Sequence, residues 1–287
     1  MLLIDYLTTK QLNMSTLRKA TRTKAKIRLG LSAVSGGGKT YSALQIAYGL
    51  TGDWNKIAVI DTENGSADLY AHLGDYSVLA LKDTSPEGYA KAISECEMAG
   101  MDVIIVDSIT HEWEFCLQEQ ERLGGTYQAW GKITPRHNAF IKSMLNSSSH
   151  IITTVRRKQD YEMTKDSNGK MKVEKAGLKE VTRDGWEYEL TVNLEMDMQH
   201  NATASKDRTG LFMGNPSFIP TVKTGEMIKE WCETGLDVNV AVDEAIKKLT
   251  NVSNLDELKT FGETQPDFVR QNVKFTNACK EHLKTFK

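Results

Sequence analysis

No stretch of the sequence stays apolar long enough to cross a bilayer. The longest runs, such as Val103–Val106, are strand length, against the ~20 residues a membrane helix needs. A basic lead is missing from Met1–Leu7 and Asp5 interrupts its short apolar stretch, so the start does not read as a signal peptide; the expected location is cytoplasmic, and Met14 is a second candidate start. Cysteine is scarce. The four residues at 96, 116, 232 and 279 form no C-x-x-C pair, which argues against a zinc knuckle or a disulfide framework, and the six histidines fall at no metal-ligand spacing. No structural metal is expected. Internal repeats and low-complexity tracts are absent, and so is a strong net charge, since 36 basic residues against 38 acidic ones leave −2. That balance conceals a polarity. Residues 1–28 hold seven Lys or Arg against Asp5 alone, and 155–183 hold nine against five acidic residues, two basic segments that suit a polyanion track or plain solvated surface equally.

What is present is an ordinary globular composition, 40% apolar and 26% charged, over 287 residues, a length that suits one large domain with a small appendage. From Ile27 to about Val155 short apolar runs alternate with helical stretches, the pattern of an α/β parallel sheet with crossover helices. Strands are predicted at Ile27–Leu31, Ile57–Ile60, Val103–Val106 and Ile151–Val155. Helices are predicted over Thr40–Leu50, from Ser85–Pro86 to Gly100, and from Thr134–Pro135 onward. Asn168-Gly169 lies between alternating runs and favours a type I′ turn, which predicts a basic β-hairpin over 158–175. Two further strands are expected at 190–198 and 202–205. The expected domains are a basic arm at 1–22, a core at 23–235 and a helical tail at 236–287.

Ala33-Val-Ser-Gly-Gly-Gly-Lys-Thr40 matches the phosphate-binding pattern GxxxxGK[ST], apart from Ala33 in the first glycine's place. Ser35, Gly36, Gly37, Gly38, Lys39, Thr40 and Tyr41 are the candidate nucleotide-binding residues. Glycines let successive backbone N–H groups turn inward around phosphate oxygens, and the helix that follows directs its positive end at the same anion. Lys39 is expected on the β- and γ-phosphates of ATP and Thr40 on Mg²⁺. Asp107, at the end of a buried strand, fits the second metal-side position, acting through water. Glu63, at the tip of the second strand, is the candidate for orienting the attacking water, with Glu112 as its competitor and Asp61 as a turn cap.

Together the loop at 33–40, Ile60-Asp-Thr-Glu63, Val106-Asp-Ser108 with Thr110-His-Glu-Trp113, His150–Arg156 and His200–Gly210 resemble the phage-encoded, RecA-like AAA-family ATPases, among them the Sak-type single-strand annealing recombinases. The likeness covers about residues 15–215. It implies a RecA-like P-loop NTPase core with a mainly parallel central sheet, a β-hairpin insertion and a small C-terminal helical module. The activity implied is a DNA-stimulated ATPase that uses ATP and Mg²⁺. Such a protein assembles with its own copies as a ring or filament and acts on single-stranded DNA in phage recombination or replication, in the bacterial host cytoplasm.

Lys206 and Arg208, by the same resemblance, reach in trans to a neighbour's γ-phosphate, where a lent guanidinium is worth ~10³–10⁵ in rate. DNA-contacting loops are implied at about 114–132, with Tyr127 and with Trp130, which suits the core equally, and at 156–183. In the second, Arg156, Arg157, Lys158, Lys170, Lys172 and Arg183 pair with phosphates while Tyr161 stacks on a base. The C-terminal helices are where a single-strand-binding or replication protein would dock; no membrane partner is expected. Two other readings share the motifs: a ring motor or helicase loader that remodels protein partners, and a nucleotide-gated DNA-binding module with little turnover.

Overall fold

Val103, Ile104, Ile105 and Val106 are apolar at every position because both faces of the strand they form are covered. Val103 and Ile105 belong to one apolar layer, with Leu29, Leu31, Ala43, Leu44 and Ala47. Ile104 and Val106 belong to the other, with Tyr89, Ile93, Phe140 and Met144. The computed structural model describes residues 20–286 except 166–170, and along 161–165 and 171–176 it describes the backbone only.

Eight strands form one sheet: β1 (Arg28–Ala33), β2 (Ile57–Asp61), β3 (Ser77–Ala80), β4 (Val103–Asp107), β5 (His150–Lys165), β6 (Met171–Glu180), β7 (Val192–Met196) and β8 (Ala202–Asp207). Their order is β3-β2-β4-β5-β1-β7-β8, parallel as far as β7. β8 closes that edge antiparallel, and β6 pairs antiparallel with the outer part of β5 as a long hairpin. This is the RecA-like mixed α/β core, and the tips of β1, β2, β4 and β5 gather at one end of it.

Helices α1 (Lys39–Thr51), α2 (Pro86–Met98), α3 (Thr110–Arg122), α4 (Trp130–Leu145) and α5 (Val222–Glu233) accompany the sheet. Ser85 caps α2 by accepting the Gly88 N–H at 3.1 Å, with Pro86 in the first turn, where its missing N–H has no partner to lose. Two expectations are corrected. α4 begins at Trp130 rather than at Thr134–Pro135, and Pro135 lies inside it. The segment 114–132, expected as a loop, is helical over much of its length, because Ile109, Trp113 and Cys116 recur at helical spacing and carry α3 to Arg122. The edge strand β3, mostly exposed, is not among the strands expected above, although Val78–Leu81 is apolar throughout.

The described residues divide into two compact units, one spanning Lys26–Cys232 and one combining 20–25 with 233–286. In the second, α6 (Val238–Leu249), α7 (Leu255–Thr264) and α8 (Val273–Leu283) enclose Val242, Ala245, Val269 and Phe275. Within this unit Thr23 bridges to Leu236 and Lys24 pairs with Asp237 at 3.2 Å. Among the described residues no helix is long and apolar enough to cross a membrane.

Candidate active site

β1 ends at Ala33 and the chain turns through three glycines into α1. Gly36 and Gly38 hold φ of 81° and 80°, which a side chain would strain. At Gly37 an added Cβ would lie 2.6 Å from the Ala33 Cβ, so the alanine that replaces the usual glycine fits because Gly37 leaves it room. Lys39 is buried, and its Nζ donates to the Ala33 and Val34 carbonyls at 3.3 and 3.2 Å. Burial holds its ammonium below the ordinary lysine range, with Asp107 and Glu63 opposing. An ammonium held across a turn of glycines fits a polyphosphate. Ser35 is exposed and Tyr41 is 43% exposed at the loop's rim.

Strand order brings the remaining chemistry to this loop. β5 lies between β1 and β4, so Thr40 on α1 and Thr154 on β5 both reach Asp107 at the tip of β4. The Thr40 hydroxyl donates to Asp107 Oδ2 at 2.5 Å, and the Thr154 hydroxyl donates to Oδ1. Burial pushes the Asp107 carboxyl above its usual range, against those two hydrogen bonds. A hydroxyl and a carboxylate so placed are the donor set that would hold Mg²⁺, Thr40 directly and Asp107 through water. The Asp107–Ser108 peptide is cis.

Glu63 extends from the tip of β2. Its Oε1 accepts from Arg156 Nε at 2.9 Å and its Oε2 lies 2.7 Å from Nη2, a two-pronged pair. Burial pushes the Glu63 carboxyl up, but the guanidinium outweighs it and holds the group below its ordinary range. Asp61 caps the turn, accepting the Glu63 N–H at 2.6 Å and the Ala67 N–H at 3.3 Å.

The competitor Glu112 faces elsewhere. It is buried, bonded to His137 Nδ1 at 3.0 and 3.1 Å and to the Cys116 thiol at 3.2 Å. These three donors lie within 4.8 Å of one another, a cluster that the spacing of cysteines and histidines hides. It becomes legible only once α3 is read as a helix, which sets Glu112 and Cys116 on one face, four residues apart. Each of its members is satisfied by another. Thr154 is a second residue that sequence reasoning missed, since a strand-interior threonine carries no signal of its own.

Lys206 and Arg208 are not brought to the loop. Asp207 pairs with Val192, which pairs with Leu29 near the start of β1, so both cations lie roughly 13 Å down the strands from Ala33. Lys206 Nζ donates to the Glu187 carbonyl at 2.6 Å and Arg208 Nη2 to the Tyr188 carbonyl at 2.9 Å.

Of the basic segment, Arg156 turns inward onto Glu63. Arg157 turns to Glu195 at 2.8 Å and to the Leu178 carbonyl at 2.8 Å. Lys158 is exposed, 3.7 Å from Glu114. With Arg183 and Lys179 it lines a cleft of about 520 Å³ at the base of the hairpin, beside Trp113, whose ring stacks on Trp130 at 5.4 Å. Tyr127 is 88% exposed. Tyr161 and Lys172 lie on β5 and β6 where only the backbone is described, and Lys170 lies outside the described residues.

A family model described as an AAA domain matches residues 25–258. No curated protein matches the chain.

Proposed function

The chain belongs to the AAA domain family, an AAA-type P-loop ATPase, and from that premise we propose that it hydrolyses ATP with Mg²⁺ on single-stranded DNA, as an oligomer, in phage recombination or replication. Backbone amides of Gly36–Gly38 and the Lys39 ammonium hold the phosphates; Thr40 and Asp107 hold the metal side. The bound Mg²⁺ neutralises charge on the phosphoryl oxygens. Glu63, once free of Arg156, orients the attacking water. Lys206 and Arg208 lie at the far end of the sheet from their own phosphate loop, which supports their acting on a neighbour's nucleotide in a head-to-tail assembly.

One observation carries the reading. β5 runs without a break from Arg156, the partner of Glu63, into the basic hairpin, so a polyanion engaged by the hairpin and the water-orienting carboxylate are joined by a single strand. ATP turnover measured against protein concentration, with and without an unstructured oligonucleotide, tests it. The expected result is turnover that rises with DNA and more than linearly with protein. Turnover proportional to protein and indifferent to DNA would reject both the DNA and the assembly. Mixing Arg208→Ala with Lys39→Ala subunits should restore activity that neither has alone; no recovery between variants that assemble normally would remove the in-trans role.

A further inference from the structure

The two flanks of the phosphate loop are different strands. On one side stand β5 and β4, and with Glu63 they collect Thr154, Asp107 and Arg156, the surroundings of a γ-phosphate and its metal. On the other stands β7, parallel to β1 and ending at Met196 beside the loop. A triphosphate whose γ end faces β4 releases its nucleoside on the β7 side.

That side is built to hold a shape. Asp197 Oδ1 accepts the Gln199 and Asn201 backbone N–H groups at 2.9 and 2.8 Å, and Oδ2 accepts the Asn201 side-chain amide at 2.9 Å. The His200 N–H donates to the Asp197 carbonyl at 3.1 Å. These bonds fix a tight β7–β8 turn in which His200 takes φ 66°, a left-handed conformation uncommon outside glycine. The turn lies against the triglycine loop. His200 Nδ1 is 2.7 Å from where a Cβ would stand on Gly38, and Met198 Cε is 3.9 Å from the same position on Gly36. Both side chains are nevertheless exposed, Met198 at 56%. A thioether and an imidazole held at the rim of a phosphate loop offer apolar, flat surface where a nucleoside emerges.

We infer that the Asp197–Asn201 turn is the nucleoside subsite, with Met198 and His200 contacting the base and ribose of ATP. This rests on the loop's binding ATP. His200 occupies the loop side of the turn, so it meets the ribose end, and Met198 lies farther out against the base.

The experiment is equilibrium binding, by calorimetry with Mg²⁺ present, of a nonhydrolysable ATP analogue and of inorganic tripolyphosphate. Wild type is compared with Met198→Ser/His200→Asn, asparagine being chosen because it tolerates the left-handed backbone. The double variant is expected to lose about tenfold in affinity for the ATP analogue, the loss that follows removal of one base-stacking contact, and to keep its tripolyphosphate affinity within about twofold. The single variants, each expected to show part of the loss, carry the test where the pair lowers the melting temperature. Unchanged affinity for the analogue overturns the subsite, and so does an equal loss for both ligands, which would mean that the turn only shapes the loop. Wild type that binds neither ligand overturns the nucleotide reading itself. Wild type that binds both equally overturns the subsite alone.

Discussion

Replacing Arg156 by Gln should switch on turnover without DNA. The Glu63–Arg156 pair has two charge-assisted contacts, at 2.7 and 2.9 Å, between side chains 22% and 35% exposed. A hydrogen bond to a charged group contributes about 1.5–3 kcal/mol where solvent is excluded, and an exposed ion pair about 0–1 kcal/mol. A pair as accessible as this one falls between, at about 1–2 kcal/mol. If Glu63 must leave Arg156 before it can orient water, that energy adds to the barrier, and at about 1.4 kcal/mol per decade it slows the DNA-free rate by about 5- to 30-fold. Arg156→Gln should therefore raise the DNA-free kcat by that factor and shrink the stimulation by single-stranded DNA to match. A coupled ATPase assay at saturating ATP, with and without oligonucleotide, measures both. The pH profile gives an independent reading. With the guanidinium gone, burial is opposed on Glu63 only by the Ser108 hydroxyl and His111, so its carboxyl rises and the acid limb of the rate profile should move to higher pH. A DNA-free kcat that stays the same or falls, with an unmoved acid limb, would show that the pair does not restrain Glu63.

Asp107→Asn should keep nucleotide binding but lose the gain in ATP affinity that Mg²⁺ gives wild type, because Thr40 would then hold the metal without its carboxylate; an undiminished Mg²⁺ effect in a binding titration would displace Asp107 from that role. His137→Ala leaves Glu112 buried without its principal partner and should cost about 3–5 kcal/mol, lowering Tm by roughly 6–20 °C, with part of it recovered in Glu112→Gln/His137→Ala. A single variant that melts within about 2 °C of wild type would show that the pair contributes little. Burial, with Lys26 and Arg28 nearby, pushes His150 down to about 3, and its Nδ1 accepts the Ile27 N–H at 3.1 Å, so the folded protein keeps it neutral. The unfolded chain takes up that proton below about pH 6.5, so this contribution is complete above that pH and declines toward pH 3, by about 2 kcal/mol between pH 6.5 and 5. Urea midpoints at pH 7 and pH 5 should converge for His150→Asn relative to wild type, and an unchanged difference would refute the assignment.

The phosphate loop, Asp107 and the buried strand before it were legible in the sequence because each is a local pattern: a run of glycines before Lys-Thr, four apolar residues, a carboxylate at their end. α3 was not, since its inward face carries Glu112, a charged residue that an apolar repeat counts as outside. Thr154 and Arg156 were legible neither as the partner of Asp107 nor as the partner of Glu63. Those contacts span 47 and 93 residues and exist only because β5 is inserted between β1 and β4.

The basic run at the start of the hairpin shows how strand geometry changes a reading of charge. Arg156, Arg157 and Lys158 are contiguous in sequence and suggest one patch, but side chains alternate along a strand with a period of two. Arg156 and Lys158 face the side of Glu63 and Glu114, whereas Arg157 is directed to Glu195 on β7 and spans the hairpin base to the Leu178 carbonyl. On the proposed reading a polyanion at the base of the hairpin would meet Lys158, Lys179 and Arg183 around the Trp113 cleft, where a base would have a ring to stack on, and not three arginine and lysine side chains in a row. Arg156 would then be the connection rather than the contact, because its Nε and Nη2 are held by Glu63 and would have to leave it to take a phosphate.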